Sequence, residues 1–148
     1  MIAFTKAQGS YDISILNELS TPDLPKTILV AMVSNVAYNG QTTLNPFNFK
    51  HYNLTWADVQ VNSKSILGKP LEFNMATKEY LEAYWNLHTA LGYTFKDDSC
   101  SITRNDYDNG FTVLCFDLTP ALCNGTYTDP VETGSVNIKL KFAVALNH

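Results

Sequence analysis

The chain has 148 residues, 45% of them hydrophobic and 16% charged, with 10 basic against 14 acidic residues for a net charge of −4. This size and apolar content fit one domain over residues 1–148 with its own core and exclude a disordered chain. The few basic residues are scattered, which excludes a nucleic-acid grip built on counterion release, and no apolar stretch reaches the length of a membrane span.

Residues 2–5 form a short β-like run broken at Gly9-Ser10, and residues 11–16 alternate as a second strand. Pro22 and Pro25 fix a turn. Residues 26–33 (KTILVAMV) are a continuous apolar run of strand length, expected to be covered on both faces. Tyr38-Asn39-Gly40 is a turn. The most organised stretch follows, Asn45-Pro46-Phe47-Asn48-Phe49-Lys50-His51-Tyr52-Asn53, an aromatic corner that runs into a long strand ending at Val61. Pro46 keeps Asn45 out of the helical region. Beyond it Asn53, Thr55, Ala57, Val59 and Val61 make a row suited to a packed interior. Tyr52, Leu54, Trp56, Asp58 and Gln60 make the opposite row, suited to an interface or a wet rim. Asn62-Ser63-Lys64 should reverse the chain into a hairpin with Ser65-Ile66-Leu67, but Asn-Ser is a weaker turn pair than Asn-Gly and leaves the turn type open.

Thr77 is placed to cap a helix over residues 78–91, with Gly92 just past its end. Tyr80, Tyr84, Leu87 and Leu91 share one face, Leu81 and Trp85 flank it, and Lys78 can pair with Glu82 on the other side. Residues 95–110 are polar and turn-rich. Residues 111–118 are a strong strand stopped by Thr119-Pro120, and a loop over 121–134 leads to the last strand. There Val136, Ile138, Leu140, Phe142, Val144 and Leu146 point one way, with Asn137, Lys139, Lys141 and Ala143 opposite, as in an antiparallel sheet with one wet face. The sum is an all-β chain: an antiparallel sandwich of about eight strands, jelly roll the favoured topology, with one helix in a connection.

Chemistry is sparse. Cys100, Cys115 and Cys123 are odd in number and show no metal-type pairing; they read as reduced, buried thiols, with a Cys115–Cys123 bridge as the lesser alternative. The tripeptides Asn53-Leu54-Thr55 and Asn124-Gly125-Thr126 carry little weight without a signal peptide. His51, His88 and His148 read as packed or solvated residues, and no histidine spacing makes a metal site. Asp106-Tyr107-Asp108-Asn109-Gly110 resembles a calcium loop only faintly, because Gly110 comes one place early, and it reads as a turn. Asp97-Asp98 reads as a solvated loop, and Gly68-Lys69-Pro70 lacks the glycines of a phosphate cradle. No catalytic residue, metal or cofactor is expected.

A series of landmarks carries a family likeness: Leu24-Pro25-Lys26, Tyr38-Asn39-Gly40, the Asn45–Asn53 corner, Lys69-Pro70-Leu71, Gly110-Phe111-Thr112, Phe116-Asp117-Leu118-Thr119-Pro120 and Gly134-Ser135-Val136. The chain resembles the major capsid proteins of Polinton/Maverick (adintovirus-like) DNA elements, of the double-jelly-roll lineage that includes virophages and large DNA viruses. The likeness covers residues 3–146 and is most specific in the Asn-Pro-Phe-Asn-Phe-Lys-His-Tyr and Phe-Asp-Leu-Thr-Pro blocks. It implies a non-enzymatic viral or virus-derived structural protein. Its partners would be copies of itself, as a trimer, and other capsid subunits, in a virion assembled inside the host cell, without direct nucleic-acid or membrane contact. Family capsomers are trimers of two-roll chains; this chain has room for one roll and looks like the C-terminal one. Tyr52, Trp56, Tyr84 and Trp85 are the candidate interface residues, the domain's own core being their alternative place. The rival readings are a carbohydrate- or receptor-binding jelly-roll module and, less favoured, an enzyme on the same fold.

Overall fold

A computed structural model describes residues 9–14, 23–94, 96–118 and 133–144. Along the chain come β1 (Gly9–Ser14), β2 (Thr27–Ala31), α1 (Asn35–Tyr38), β3 (Leu54–Val61), β4 (Lys64–Ser65), β5 (Leu71–Glu72), α2 (Leu81–Ala90), α3 (Arg104–Tyr107), β6 (Val113–Asp117) and β7 (Val136–Phe142). The strands form two antiparallel sheets. The larger runs β1-β7-β3, with β4 and β5 both on the far edge of β3; the smaller is β2-β6. Buried side chains from both sheets belong to one core. The chain is therefore mostly sheet, in two antiparallel layers with few helices. Seven strands stand among the described residues, two of them only two residues long. The expected run at residues 2–5 lies outside them.

The large sheet is held by β3 against β7. Ala57 pairs with Leu140, Val59 with Ile138 and Val61 with Val136, all on the core side. Trp56, Asp58 and Gln60 lie opposite Lys141, Lys139 and Asn137 on the other face. The expected rows hold from Ala57 onward and fail at Leu54. A bulge at Thr55 inserts one residue between the Leu54–Phe142 and Trp56–Lys141 pairs, so Leu54 turns inward and is fully buried. The Thr55 hydroxyl donates to the Lys141 carbonyl at 3.2 Å across the bulge. The outer face is less wet than expected. Asp58 is buried there, its carboxylate accepting from Ser65 Oγ at 2.6 Å and Gln60 Nε2 at 2.8 Å.

The hairpin into β4 turns at Asn62 (φ 50°) and Ser63 (φ 67°), both left-handed, which makes it type I′. The Asn62 side chain is used a second time, accepting from the Ser135 backbone at 2.9 Å. Gly134 has to be glycine for this contact, because a Cβ there would stand 2.8 Å from the Asn62 amide.

The apolar run of residues 26–33 is not covered on both faces. In β2, Ile28 is buried while its neighbour Leu29 is 59% exposed. The doubly covered strand is β6, where Leu114, Cys115 and Phe116 are buried in succession and α2 packs alongside. Periodicity could not separate the two, since both runs are continuous and apolar.

The helix at 78–91 is shorter than its sequence pattern. Lys78 takes φ 58°, Asn74 and Glu79 bridge each other, and α2 starts at Leu81 after Tyr80, with no side-chain cap from Thr77. Lys78 consequently pairs with Asp108 (3.7 Å), and Glu82 with Lys69 (3.4 Å). At the other end Gly92 (φ 76°) closes the helix as expected, with Tyr93 N donating to His88 O and Gly92 N to Thr89 O. Two further short helices appear, α1 capped by Ser34 and α3 capped by Thr103. Each is a single turn, too brief for periodicity to reveal.

Tyrosine hydroxyls anchor the polar segment that leads into β6. Tyr80 Oη donates to the Arg104 carbonyl at 3.0 Å, Tyr84 Oη to Ile102 at 2.8 Å and Tyr107 Oη to Val113 at 3.0 Å. The three rings pack together, Tyr107 stacked on Tyr80 at 5.5 Å and edge-on to Tyr84 at 5.7 Å. A loop this polar can lie against a core because these hydroxyls satisfy its carbonyls. Tyr107→Phe should therefore cost about 1–3 kcal/mol in urea unfolding, by orphaning a buried acceptor. Ser63→Gly should raise stability by about 0.5–1 kcal/mol, since relief of the left-handed penalty exceeds the entropy that glycine loses.

Candidate functional site

The Asn45–Asn53 corner is where the two sheets are stitched at one end. Asn45 Oδ1 accepts from Phe47 N at 2.9 Å, an Asx turn that starts the corner. Phe49 N then donates to Gly110 O (2.9 Å) and Phe49 O accepts from Thr112 N (3.1 Å), a parallel bridge to the segment entering β6. Lys50 N donates to Met32 O beyond the end of β2 at 3.1 Å. Four residues later, at Leu54, the chain enters β3 in the other sheet. The reversal is a type I′ turn with Tyr52 (φ 47°) and Asn53 (φ 54°) both left-handed and Leu54 N donating to His51 O at 2.9 Å. A tyrosine in that region is strained by about 1–2 kcal/mol.

This turn faces the end of α3 across a cleft of about 400 Å³ lined by Asn48, Lys50, His51, Tyr52, Asp108, Asn109 and Gly110. Gly110 (φ 107°) is part of the lining, and a Cβ there would stand 2.7 Å from Asn48 Oδ1. His51 Nδ1 accepts from Asn53 N at 3.0 Å, so the neutral ring carries its proton on Nε2. Burial lowers the His51 pKa, and the Asp108 charge opposes that in part. Burial also raises the Tyr52 phenol. Asp108 is the cleft's only carboxylate among the described residues; it accepts from Asn109 Nδ2 at 2.9 Å and faces Lys78. Amides, an imidazole, an ammonium and a phenol can hydrogen-bond a polar ligand or a partner's loop. Among the described residues the lining has no serine or cysteine nucleophile, and the one carboxylate there does not make the pair that glycoside hydrolysis uses.

Asp106 is engaged elsewhere. Its carboxylate accepts from Thr103 N (3.1 Å) and Thr103 Oγ1 (2.6 Å) in a capping box, and those bonds hold its pKa below the usual carboxylate range. The cluster read as a turn is thus the end of α3 plus one wall of the cleft. Pairing the corner with this wall is what sequence reading missed, and the only hint was the shared density of Asn, Asp and aromatic residues. Among the described residues no three His, Cys, Asp or Glu side chains gather as a metal site, and no helix is long and apolar enough to cross a membrane. Cys115 is a free thiol whose pKa burial pushes up to about 11, with the Asp117 charge adding to it. Cys123 and His148 lie outside the described residues.

The four candidate interface residues do not form one patch. Tyr52 is half-buried in the cleft. Trp56 lies on the outer face of the large sheet under the Lys141 ammonium, 4.7 Å from its ring centre. Tyr84 is turned inward by its bond to Ile102 and its contact with Tyr107. Trp85 stands out, 57% exposed, with Leu81 58% exposed one turn before it. Phe47 (71% exposed) and Phe111, near the corner, are also open to solvent.

Gly110→Ala is expected to destabilise by about 1–3 kcal/mol in chemical unfolding, through both its φ and the Asn48 contact; Asn48→Ala in that background should recover only the contact part. His51 sets a pH dependence. Between its ordinary value of 6.5 and its lowered folded value, the unfolded chain binds a proton that the folded chain refuses. Stability should fall as pH drops through that window, and His51→Gln should flatten this part of a stability-versus-pH curve.

No protein-family model and no solved structure matches the chain. A match is found with an uncharacterized protein of Caenorhabditis elegans, 31% identical over 128 residues, which cover 85% of this chain and 30% of that protein. The chain thus spans less than a third of the length of the curated relative it matches.

Proposed function

We propose that this is a non-enzymatic capsid-type jelly-roll protein, viral or virus-derived, that works by assembling with copies of itself as a trimer and with other capsid subunits in a virion. The observation that carries the reading is large apolar side chains left in water on a chain that buries a core of its own: Leu81 and Trp85 together on α2, Phe47 and Phe111 by the corner, Leu29 on β2. Adjacent exposed apolar groups of this size mark contact surfaces more often than chance. Two antiparallel sheets around one core are compatible with a jelly roll, and the corner and Phe116-Asp117-Leu118 blocks that carry the capsid resemblance form the sheet-to-sheet stitch and the end of β6. The matched relative, of which 128 residues are 30%, runs to roughly 430 residues, room for a second domain of this size. Trp85 and Leu81 would be the centre of the contact.

The cleft favours a second reading, a carbohydrate- or receptor-binding module, because amide side chains beside a tyrosine are suited to sugar hydroxyls. The two separate cleanly. Solution mass measured by light scattering should rise with protein concentration toward a trimer, and Trp85→Asp should weaken association at least tenfold while shifting unfolding by no more than about 0.5 kcal/mol. A monomer at all concentrations, with glycan binding lost in Asn109→Ala, would replace the assembly reading by the second.

A further inference from the structure

On the side of α2 that faces residues 96–102, His88 and Cys100 come together outside the cleft. Cys100 Sγ lies 3.4 Å from His88 Nε2, and His88 Nδ1 lies 3.0 Å from the Tyr84 backbone carbonyl. A carbonyl oxygen can only accept, so Nδ1 carries the ring proton and Nε2 presents its lone pair to the thiol. The ring is held in this attitude by Tyr84, whose own ring packs on it at 4.5 Å and is fixed in turn by its bond to Ile102. Thiol, base and orienting acceptor are thus linked one to the next, the connectivity that activates a cysteine nucleophile. Cys100 is only partly buried, and residues 96–99 beside it are exposed, which puts the residue at the border between core and solvent. Cys115, fully buried, has no comparable access.

We propose that Cys100 and His88 form a reactive thiol–imidazole pair, a modification site for hydrogen peroxide and small electrophiles. His88 Nε2 takes the thiol proton, and the thiolate sulfur attacks one peroxide oxygen. The O–O bond breaks, and the departing hydroxide takes the proton back from Nε2 and leaves as water. The product is a sulfenic acid on Cys100: sulfur is oxidised by two electrons, and one molecule of peroxide is reduced to water. The pair does not depend on the assembly reading.

The test uses the full chain with N-acetylcysteine in the same solution as a fully accessible, unassisted thiol. Hydrogen peroxide with dimedone trapping, and separately iodoacetamide, are followed by peptide mass spectrometry that resolves Cys100, Cys115 and Cys123. Cys100 is expected to react about tenfold or more faster than N-acetylcysteine, with Cys115 unlabelled. A Cys100 rate equal to or below that of the free thiol would overturn the proposal without any variant. His88→Ala should lower the Cys100 rate about tenfold, and added imidazole should restore it. A rate unchanged or raised in the variant, with Cys115 still protected, would mean that His88 only packs. If Cys115 becomes labelled the variant has unfolded, and the wild-type comparison decides.

Discussion

The structure depends on the pairing of β3 with β7. Each strand supplies one apolar row, and the register Ala57–Leu140, Val59–Ile138, Val61–Val136 brings the two rows onto the same face. A slip of one residue would put Lys139 and Lys141 into the core, which the cost of burying unpaired ammonium groups forbids. That penalty is the reason the register is unique. Everything else in the large sheet hangs on it: β1 adds to the outer edge of β7, and β4 and β5 add to the outer edge of β3. The bulge at Thr55 is the one departure, and it serves the same core, for it turns Leu54 inward against Phe142.

A second constraint joins this sheet to the smaller one. Between them run segments rich in Asn, Asp, Ser and Thr, whose backbone groups cannot be left dry and unpaired. The corner solves this with backbone bonds, Phe49 to Gly110 and Thr112, Lys50 to Met32. The segment before β6 solves it with side chains, three tyrosine hydroxyls on three carbonyls and Thr112 Oγ1 on the Tyr107 carbonyl at 2.7 Å. Tyrosine suits the task because its ring fills core volume while its hydroxyl reaches a polar group at the edge. The high tyrosine count, 8 in 148 residues, is thereby accounted for in part by the need to seat polar loops on an apolar core.

What could be read in advance follows from the range of each interaction. The β7 alternation was legible over Val136 to Phe142 because every residue there obeys one period. The inner row of β3 was legible for the same reason, and Leu54 was not, because a bulge changes parity with no mark in the sequence. Gly92 announced the end of α2, whereas its start was misplaced: Thr77 has the right chemistry for a cap, but the left-handed Lys78 and the Asn74–Glu79 bridge hold the chain out of helix until Leu81. The KTILVAMV run and the Phe111–Leu118 run look alike as strings, and only the packing of α2 on β6 decides which is enclosed. The cleft was illegible for a plainer reason. Its walls, residues 48–52 and 108–110, lie some sixty positions apart, and the Phe49–Phe111 bridge that joins them is backbone pairing, which side-chain types do not encode.

Helix α2 shows how these demands compete on one element. Its inward face, Tyr80, Ala83 and Leu87, is buried, and Tyr84 is tied down by its hydroxyl. Had the helix served only to cover β6, the positions facing water would carry the Lys, Glu and Gln that favour helix and solubility. Glu82 does so. Leu81 and Trp85 do not, and being four apart they present a continuous apolar ridge to solvent. A tryptophan there leaves more than half of its surface in water and invites non-specific association, which is why the proposed contact is centred on it. His88, one turn further on, points toward residue 100 rather than along the ridge, so the same helix can present a contact surface and hold a thiol-directed imidazole without either role constraining the other.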